Sequence, residues 1–287
     1  MEQSYVIVTD TACDLAPEML ERLGIPAVPL NVFMKDAPAL PCALRGTDFY
    51  QALRDGQVAC TSAANLSLFR DVFTKILQQG KDILYISLSS ALSCMHATGQ
   101  IAAEELREEY PDRKIIIIDS LSACMGEGLL VYYAAEKREA GMSLEELAEY
   151  VTNQRLHTIH WFTVDDLMFL RRGGRVGSLS AMAGTLLGIK PIMYVTNEGK
   201  LTAHAKVRGR KNSLLTLAAH FKEDNGNPKE PVFISQADAM EDAEFLKDVL
   251  QKEHGVSAVT IGEIGPVIGA HAGPGTIALF YMGTARA

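Results

Sequence analysis

The chain has 287 residues, 48% of them hydrophobic and 22% charged, a globular balance that excludes a disordered or fibrous chain and suffices for two ordinary domains or one large one. Its net charge of −8 disfavours non-specific binding to a nucleic-acid backbone. Five cysteines (Cys13, Cys42, Cys60, Cys94 and Cys124) are widely spaced, odd in number and form no Cys-x-x-Cys pair; this points to a reducing, cytoplasmic compartment and against a disulfide framework or a structural zinc site.

The first apolar run, residues 5–9, is reached without a basic leader, so no signal peptide is expected. Strand patterns at 5–9, 27–33, 83–87 and 115–118 alternate with helix patterns at 17–23, 66–79, 95–109, 125–140 and 144–156. Pro17 opens the first helix and Gly24 follows its end, the usual capping asymmetry. This alternation predicts α/β architecture, a doubly wound parallel sheet with helices on both faces and ligand loops at the carboxyl ends of its strands. Beyond it the pattern changes. Strands are expected at 159–164, 191–196, 201–207, 232–235, 259–262 and 277–282, and helices at 165–171, 179–187, 212–222 and 241–253. Asn197-Glu198-Gly199 marks a hairpin, so the second half reads as a two-layer α+β domain with a mixed sheet. The expected domains are 1–157 and 158–287. The longest stretch free of charged residues, 264–285, carries Gly265, Pro266, Gly269, Gly273, Pro274 and Gly275, and is no transmembrane helix.

Charge is segregated. Between Leu167 and Lys222 lie ten Lys or Arg and one carboxylate, Glu198, a balance of +9 that leaves −17 for the remainder. Such a segment is either a solvated basic face or a surface for an anionic headgroup, a phosphate or an acidic partner.

Four polar clusters stand out: Thr61-Ser62 in a loop before a helix; Ser87-Leu88-Ser89-Ser90-Ala91-Leu92-Ser93 running from a strand end into a helix; Arg171-Arg172-Gly173-Gly174-Arg175; and Gly269-Ala270-His271-Ala272-Gly273-Pro274-Gly275. Hydroxyls before a helix ordinarily cap it, and a single histidine beside a turn is ordinarily packed or capping. Two hydroxyl clusters at successive strand ends also suit a carboxylate, because helix N–H groups and hydroxyls both donate to it. Nucleotide motifs fail: no Gly-x-x-x-x-Gly-Lys-Ser/Thr exists, and Gly126-Glu127-Gly128 meets Val131 where a dinucleotide fingerprint needs its third glycine. His157 and His160 lack partners for a metal site. A hydrolase triad of Ser93, His271 and Asp119 stays open, as does a carrier or regulator of another amphiphile.

Taken in order, these clusters resemble the DegV family of bacterial fatty-acid-binding proteins. The likeness also includes Thr9-Asp10-Thr11-Ala12-Cys13-Asp14-Leu15, Ile118-Asp119-Ser120, Asp165-Asp166-Leu167, Ile189-Lys190-Pro191, Lys206-Val207-Arg208-Gly209-Arg210-Lys211 and Gly265-Pro266-Val267-Ile268-Gly269. It implies two domains with a long-chain fatty acid between them, no further cofactor or metal, and no catalysis by this chain alone. The protein would present the carboxylate to a separate ATP-binding fatty acid kinase subunit, which makes the acyl phosphate used in phospholipid synthesis. By the same resemblance Thr61, Ser62, Ser93, Arg175 and His271 are expected at the ligand, and Arg208 faces the kinase. The family's Thr-Ser-Gln-Pro-Ser loop reads Thr61-Ser62-Ala63-Ala64-Asn65 here, and Ala91 and Cys94 replace customary glycines. The apolar stretch 179–187 with Ile192, Met193, Phe280 and Met282 are candidate lining for the acyl chain.

Overall fold

The computed structural model describes residues 4–176, 188–284 and 286; the expected helix 179–187 lies outside them. In chain order the first half comprises β1 (Tyr5–Asp10), α1 (Pro17–Leu23), β2 (Ala27–Val28), β3 (Asn31–Met34), α2 (Gly46–Arg54), β4 (Ala59–Ser62), α3 (Leu66–Leu77), β5 (Asp82–Ser87), α4 (Met95–Glu109), β6 (Ile115–Asp119), α5 (Met125–Glu139) and α6 (Leu144–Gln154). The second half follows with β7 (Thr158–Thr163), α7 (Leu167–Gly173), β8 (Ile189–Val195), β9 (Leu201–Arg208), α8 (Arg210–Glu223), β10 (Val232–Gln236), α9 (Met240–His254), β11 (Val259–Glu263), α10 (Pro266–Ala272) and β12 (Ile277–Met282).

The near-continuous apolar runs of the first half become a parallel sheet of order β2-β1-β5-β6. Strand alternation sends Val8, Ile83, Tyr85 and Ile115 to one face, where Phe69 and Phe73 of α3 and Met95 and Leu106 of α4 pack. Ile7, Leu84 and Ile86 go to the other, against Leu130 of α5 and Leu147 and Val151 of α6. Both faces are covered, as continuous apolar strands require. The second sheet is mixed, of order β11-β10-β12-β7-β8-β9, with only β10 and β11 parallel. Helices α8 and α9 cover one of its faces through Leu214, Leu217, Phe221, Leu246 and Leu250.

Stretch 27–33 is two strands rather than the expected one. Pro29 lies at the break and has no N–H to give a ladder, so the chain leaves the parallel sheet there. Its continuation, β3, pairs antiparallel with β4, with Val32 opposite Thr61. Thr61-Ser62 therefore sits in a strand, not a loop. Helices α2 and α10 were also unforeseen; the glycines of α10 hide its pattern. Gly269 is needed there, because a Cβ would stand 2.6 Å from the Tyr50 hydroxyl, which donates to the Ile264 carbonyl.

Helix α5 lies between the two sheets, contacting β1 and β5 of the first and β7, β10 and β12 of the second. It carries buried acid to the centre of the molecule. Glu127, fully buried, accepts from the Thr9 hydroxyl at 2.8 Å. Asp10, at the carboxyl end of β1, accepts from the Leu88 and Ala12 N–H groups and the Tyr85 hydroxyl. Asp14 accepts from Gly265 N–H at 3.0 Å, tying the β1 loop to the start of α10. Burial raises all three carboxyls: Asp10 to about 6, Asp14 to about 7, and Glu127 well above its ordinary value.

These acids hold protons more tightly folded than unfolded. Their burial penalty is absent below the unfolded carboxyl pKa, grows as pH rises toward the folded values, and is complete above them. Stability to guanidinium should therefore fall between about pH 4 and about pH 7. Asp14→Asn keeps an oxygen for Gly265 and should lose less over that range, by at most about 2 kcal/mol, because the residue retains some surface although Oδ2 is cut off from solvent. An unchanged pH slope in the variant would show that Asp14 does not carry this proton.

Candidate functional site

A cavity of about 110 Å³ lies between the two sheets. Its walls are largely apolar: Leu30, Leu88 and Leu92 from the first half, Phe162, Ala278 and Phe280 from the second sheet. Thr61, Ser93, Arg175 and His271 add polar groups to this lining. A neighbouring chamber of about 240 Å³ shares Thr61, Arg175 and His271 with it and is otherwise bordered by residues such as Cys60, Phe169 and Arg172. Those three side chains border both spaces.

Each arrives on a different element. Thr61 is held by the β3–β4 ladder, and alternation turns it inward while Ser62 points out. His271 comes from the last turn of α10, which ends at Gly273, where φ is +78° and a Cβ would strike the Phe169 ring at 2.5 Å. The Thr61 hydroxyl and His271 Nε2 are 2.7 Å apart. His271 Nδ1 is buried, has no hydrogen-bond partner among the described residues, and lies where a Cβ on Gly173 would be 2.3 Å away. Burial, and then the nearby Arg175 cation, push the His271 pKa down to about 4, so the ring is neutral at neutral pH.

Arg175 follows the αL cap at Gly174 that ends α7. Its guanidinium donates to the carbonyls of Gly173 (2.6 Å) and Leu92 (3.3 Å) and pairs with no carboxylate among the described residues. Ser93 lies just ahead of the 15-residue α4, whose N-terminus adds the positive end of a helix dipole. A cation without a counter-ion, two hydroxyls and a neutral imidazole beside an apolar space suit one anionic headgroup on an apolar tail.

Four of the expected ligand residues thus meet, and Ser62 does not. It is exposed, its hydroxyl accepting from Asn31 Nδ2 at 3.3 Å. Arg208 stands apart, exposed at the end of β9. Within the 206–211 cluster, Arg210 is committed to Asp242 and the Gly275 carbonyl, and Lys211 lies over the Phe245 ring. Of the lining candidates, Phe280 borders the cavity, Ile192 packs under α8 and α9, and Met193 and Met282 lie in or against the core beside it. The Ser93, His271, Asp119 triad is not assembled: His271 bonds Thr61, and Asp119 accepts from the Ser90 and Leu121 N–H groups. His157 and His160 each bond a backbone carbonyl, and no metal-ligand cluster exists among the described residues. No described helix is long and apolar enough to cross a membrane.

A DegV domain-containing protein of Clostridium perfringens is 40% identical over 288 residues, covering 99% of each chain. Among solved structures, a fatty-acid-binding DegV family protein of Thermus thermophilus superposes with a TM-score of 0.88 at 28% identity, covering 98% of this chain and 100% of its own. A DegV lipid-binding protein of Thermotoga maritima gives 0.86 at 27% identity, covering 99% and 100%. The profile of the family described as uncharacterised proteins, DegV family, matches residues 4–284, and the chain belongs to the DegV family.

Proposed function

We propose that this protein binds one long-chain fatty acid in the cavity between residues 1–157 and 158–287, as two domains, and presents its carboxylate to a separate ATP-binding kinase subunit in the cytoplasm. The observation that carries the reading is the exposed Arg175, without a carboxylate partner among the described residues, beside a Thr61–His271 pair at a largely apolar cavity. The fatty-acid-binding relative from Thermus thermophilus supports the choice of ligand. Each buried methylene contributes about 0.8 kcal/mol, so a long chain offsets the cost of ordering itself. The carboxylate must be paired on leaving water, and Arg175 supplies the charge.

Hydroxyl chemistry then sets the proton arrangement. For the Thr61 hydroxyl to donate to the carboxylate, His271 Nε2–H must donate to Thr61, which leaves Nδ1 as a bare acceptor. Phosphorylation forms a bond from a carboxylate oxygen to the γ-phosphorus of ATP as the bond to ADP breaks. This chain contributes position and charge compensation, with Arg175 and His271 bordering the neighbouring chamber, through which a phosphoryl group would approach.

Organic extraction of the denatured protein should yield long-chain fatty acid, and Thr61→Ala or Arg175→Ala should each weaken binding about tenfold. A protein with no measurable fatty-acid affinity would refute the reading. Histidine NMR should show His271 titrating near pH 4 without ligand, and Arg175→Ala should raise that value by removing a neighbouring cation. Arg208→Glu should keep its fatty acid and thermal stability while acyl-phosphate formation at limiting kinase falls about tenfold or more. If this variant empties the cavity, or behaves as wild type at every kinase concentration, Arg208 is not a docking residue.

A further inference from the structure

The far wall of the cavity contains a side chain that an acyl tunnel does not ordinarily need. The antiparallel register of β7 and β12 sets Phe162 opposite Ala278 and His160 opposite Phe280. Thr276, bonded to the Ala272 and Gly273 carbonyls at the end of α10, starts this row beside His271. Phe280 follows four residues later, about 14 Å along the strand. His160 and Phe280 therefore mark the end remote from the polar groups.

His160 is held there from three sides. Its Nδ1 is 2.9 Å from the Thr158 carbonyl, which makes Nδ1–H the donor and leaves Nε2 a lone pair. The ring meets Phe280 edge-on, centroids 5.3 Å apart at 89°. On the remaining side it fills the notch at Gly126, where a Cβ would stand 1.9 Å from Nε2. Only 3% of the residue is exposed, and Nε2 has no partner among the described residues. Behind the ring lies a small void of about 20 Å³, bordered by Trp161, Tyr194 and Arg286 and sharing only His160 and Val195 with the main cavity. His160 and Val195 are the partition between the two spaces.

We propose that His160 is the end stop that sets the length of acyl chain this protein accepts. The inference rests on the fatty-acid reading above and adds a specificity determinant to it. A terminal methyl that overruns a Met or Leu wall can turn the side chain to another rotamer. The imidazole has no such freedom, since its hydrogen bond, the Gly126 notch and the Phe280 edge define one position. Shorter chains fit but forfeit roughly fourfold in affinity for every methylene left out. Together these effects select a narrow band of lengths.

The test offers purified, delipidated protein an equimolar mixture of saturated fatty acids from dodecanoic to eicosanoic and measures what is retained by mass spectrometry. His160→Ala opens the partition, so the preferred length should move up by about two carbons, with the ratio of long to short acids rising about tenfold. Val195→Ala breaches the same partition without touching the imidazole and should shift the preference in the same direction by less. It also covers the case in which His160→Ala fails to fold. Unchanged length distributions in folded variants that still bind fatty acid would overturn the end-stop assignment alone. Absence of any retained fatty acid in the wild type would overturn the fatty-acid reading, and the assignment with it.

Discussion

The first half of helix α5, Met125–Val131, is buried on every side, and two glycines make that burial feasible. Gly126 faces the second sheet, where the His160 ring occupies the place of a side chain; Gly128 faces the first, where the Cys13 carbonyl would lie 2.7 Å from a Cβ. At these two positions the helix backbone comes close to the His160 ring on one flank and to the loop after β1 on the other, because no side chain intervenes. Leu129, Leu130, Val131, Ala134 and Ala135 carry the apolar burial on, and the helix reaches solvent only in its last turns, at Glu136 and Glu139. The spacing between the sheets, and with it the width of the cavity at the helix start, depends on this close approach.

A carboxylate of β1 explains why the candidate anion site is not where an open parallel sheet ordinarily has one. The chain visits β2 on one side of β1 and β5 on the other, so the crevice between the carboxyl ends of β1 and β5 is the switch point. Asp10 occupies it, taking the Leu88 N–H that a ligand anion would otherwise claim. With an internal carboxylate there, the donors left over are those on the hairpin strand, the serine turn and α10. These surround the space between the sheets, and the candidate headgroup site has moved there.

Much of this was legible in the sequence, for reasons that differ by element. The parallel sheet followed from apolar runs such as 115–118 that only a doubly covered strand tolerates, and the hairpin from Asn197-Glu198-Gly199. The polar residues were legible as ordered motifs; their meeting was not, since Thr61 and His271 are 210 positions apart and join through a strand pair and a short glycine-rich helix, neither of which has a strong period. Reading 59–62 as a strand would have shown that adjacent Thr61 and Ser62 cannot both face inward. Strand parity also decides the lining: Ile192 and Met193 are neighbours on opposite faces, and only one face of β8 looks toward the core beside the cavity. Gly126-Glu127-Gly128 was visible as an incomplete nucleotide motif, but the role of its glycines depends on atoms from two distant sheets.

Strand β12 sits between β10 and β7 although it is the last in chain order among the described strands. Without it the second sheet would be two pieces, β11-β10 and β7-β8-β9, each with an unsatisfied edge facing the gap. Sheet closure is then a non-local event that joins residues 277–282 to residues 158–163, a long loop whose closure entropy slows assembly. Any state in which β12 is out would expose open edges and the apolar faces behind them to other chains. Ala278 and Phe280 of this strand are also part of the cavity wall, so the cavity cannot be complete until the final strand is in place. A lipid that bound only the finished wall would act after synthesis, by holding the inserted strand and suppressing its release.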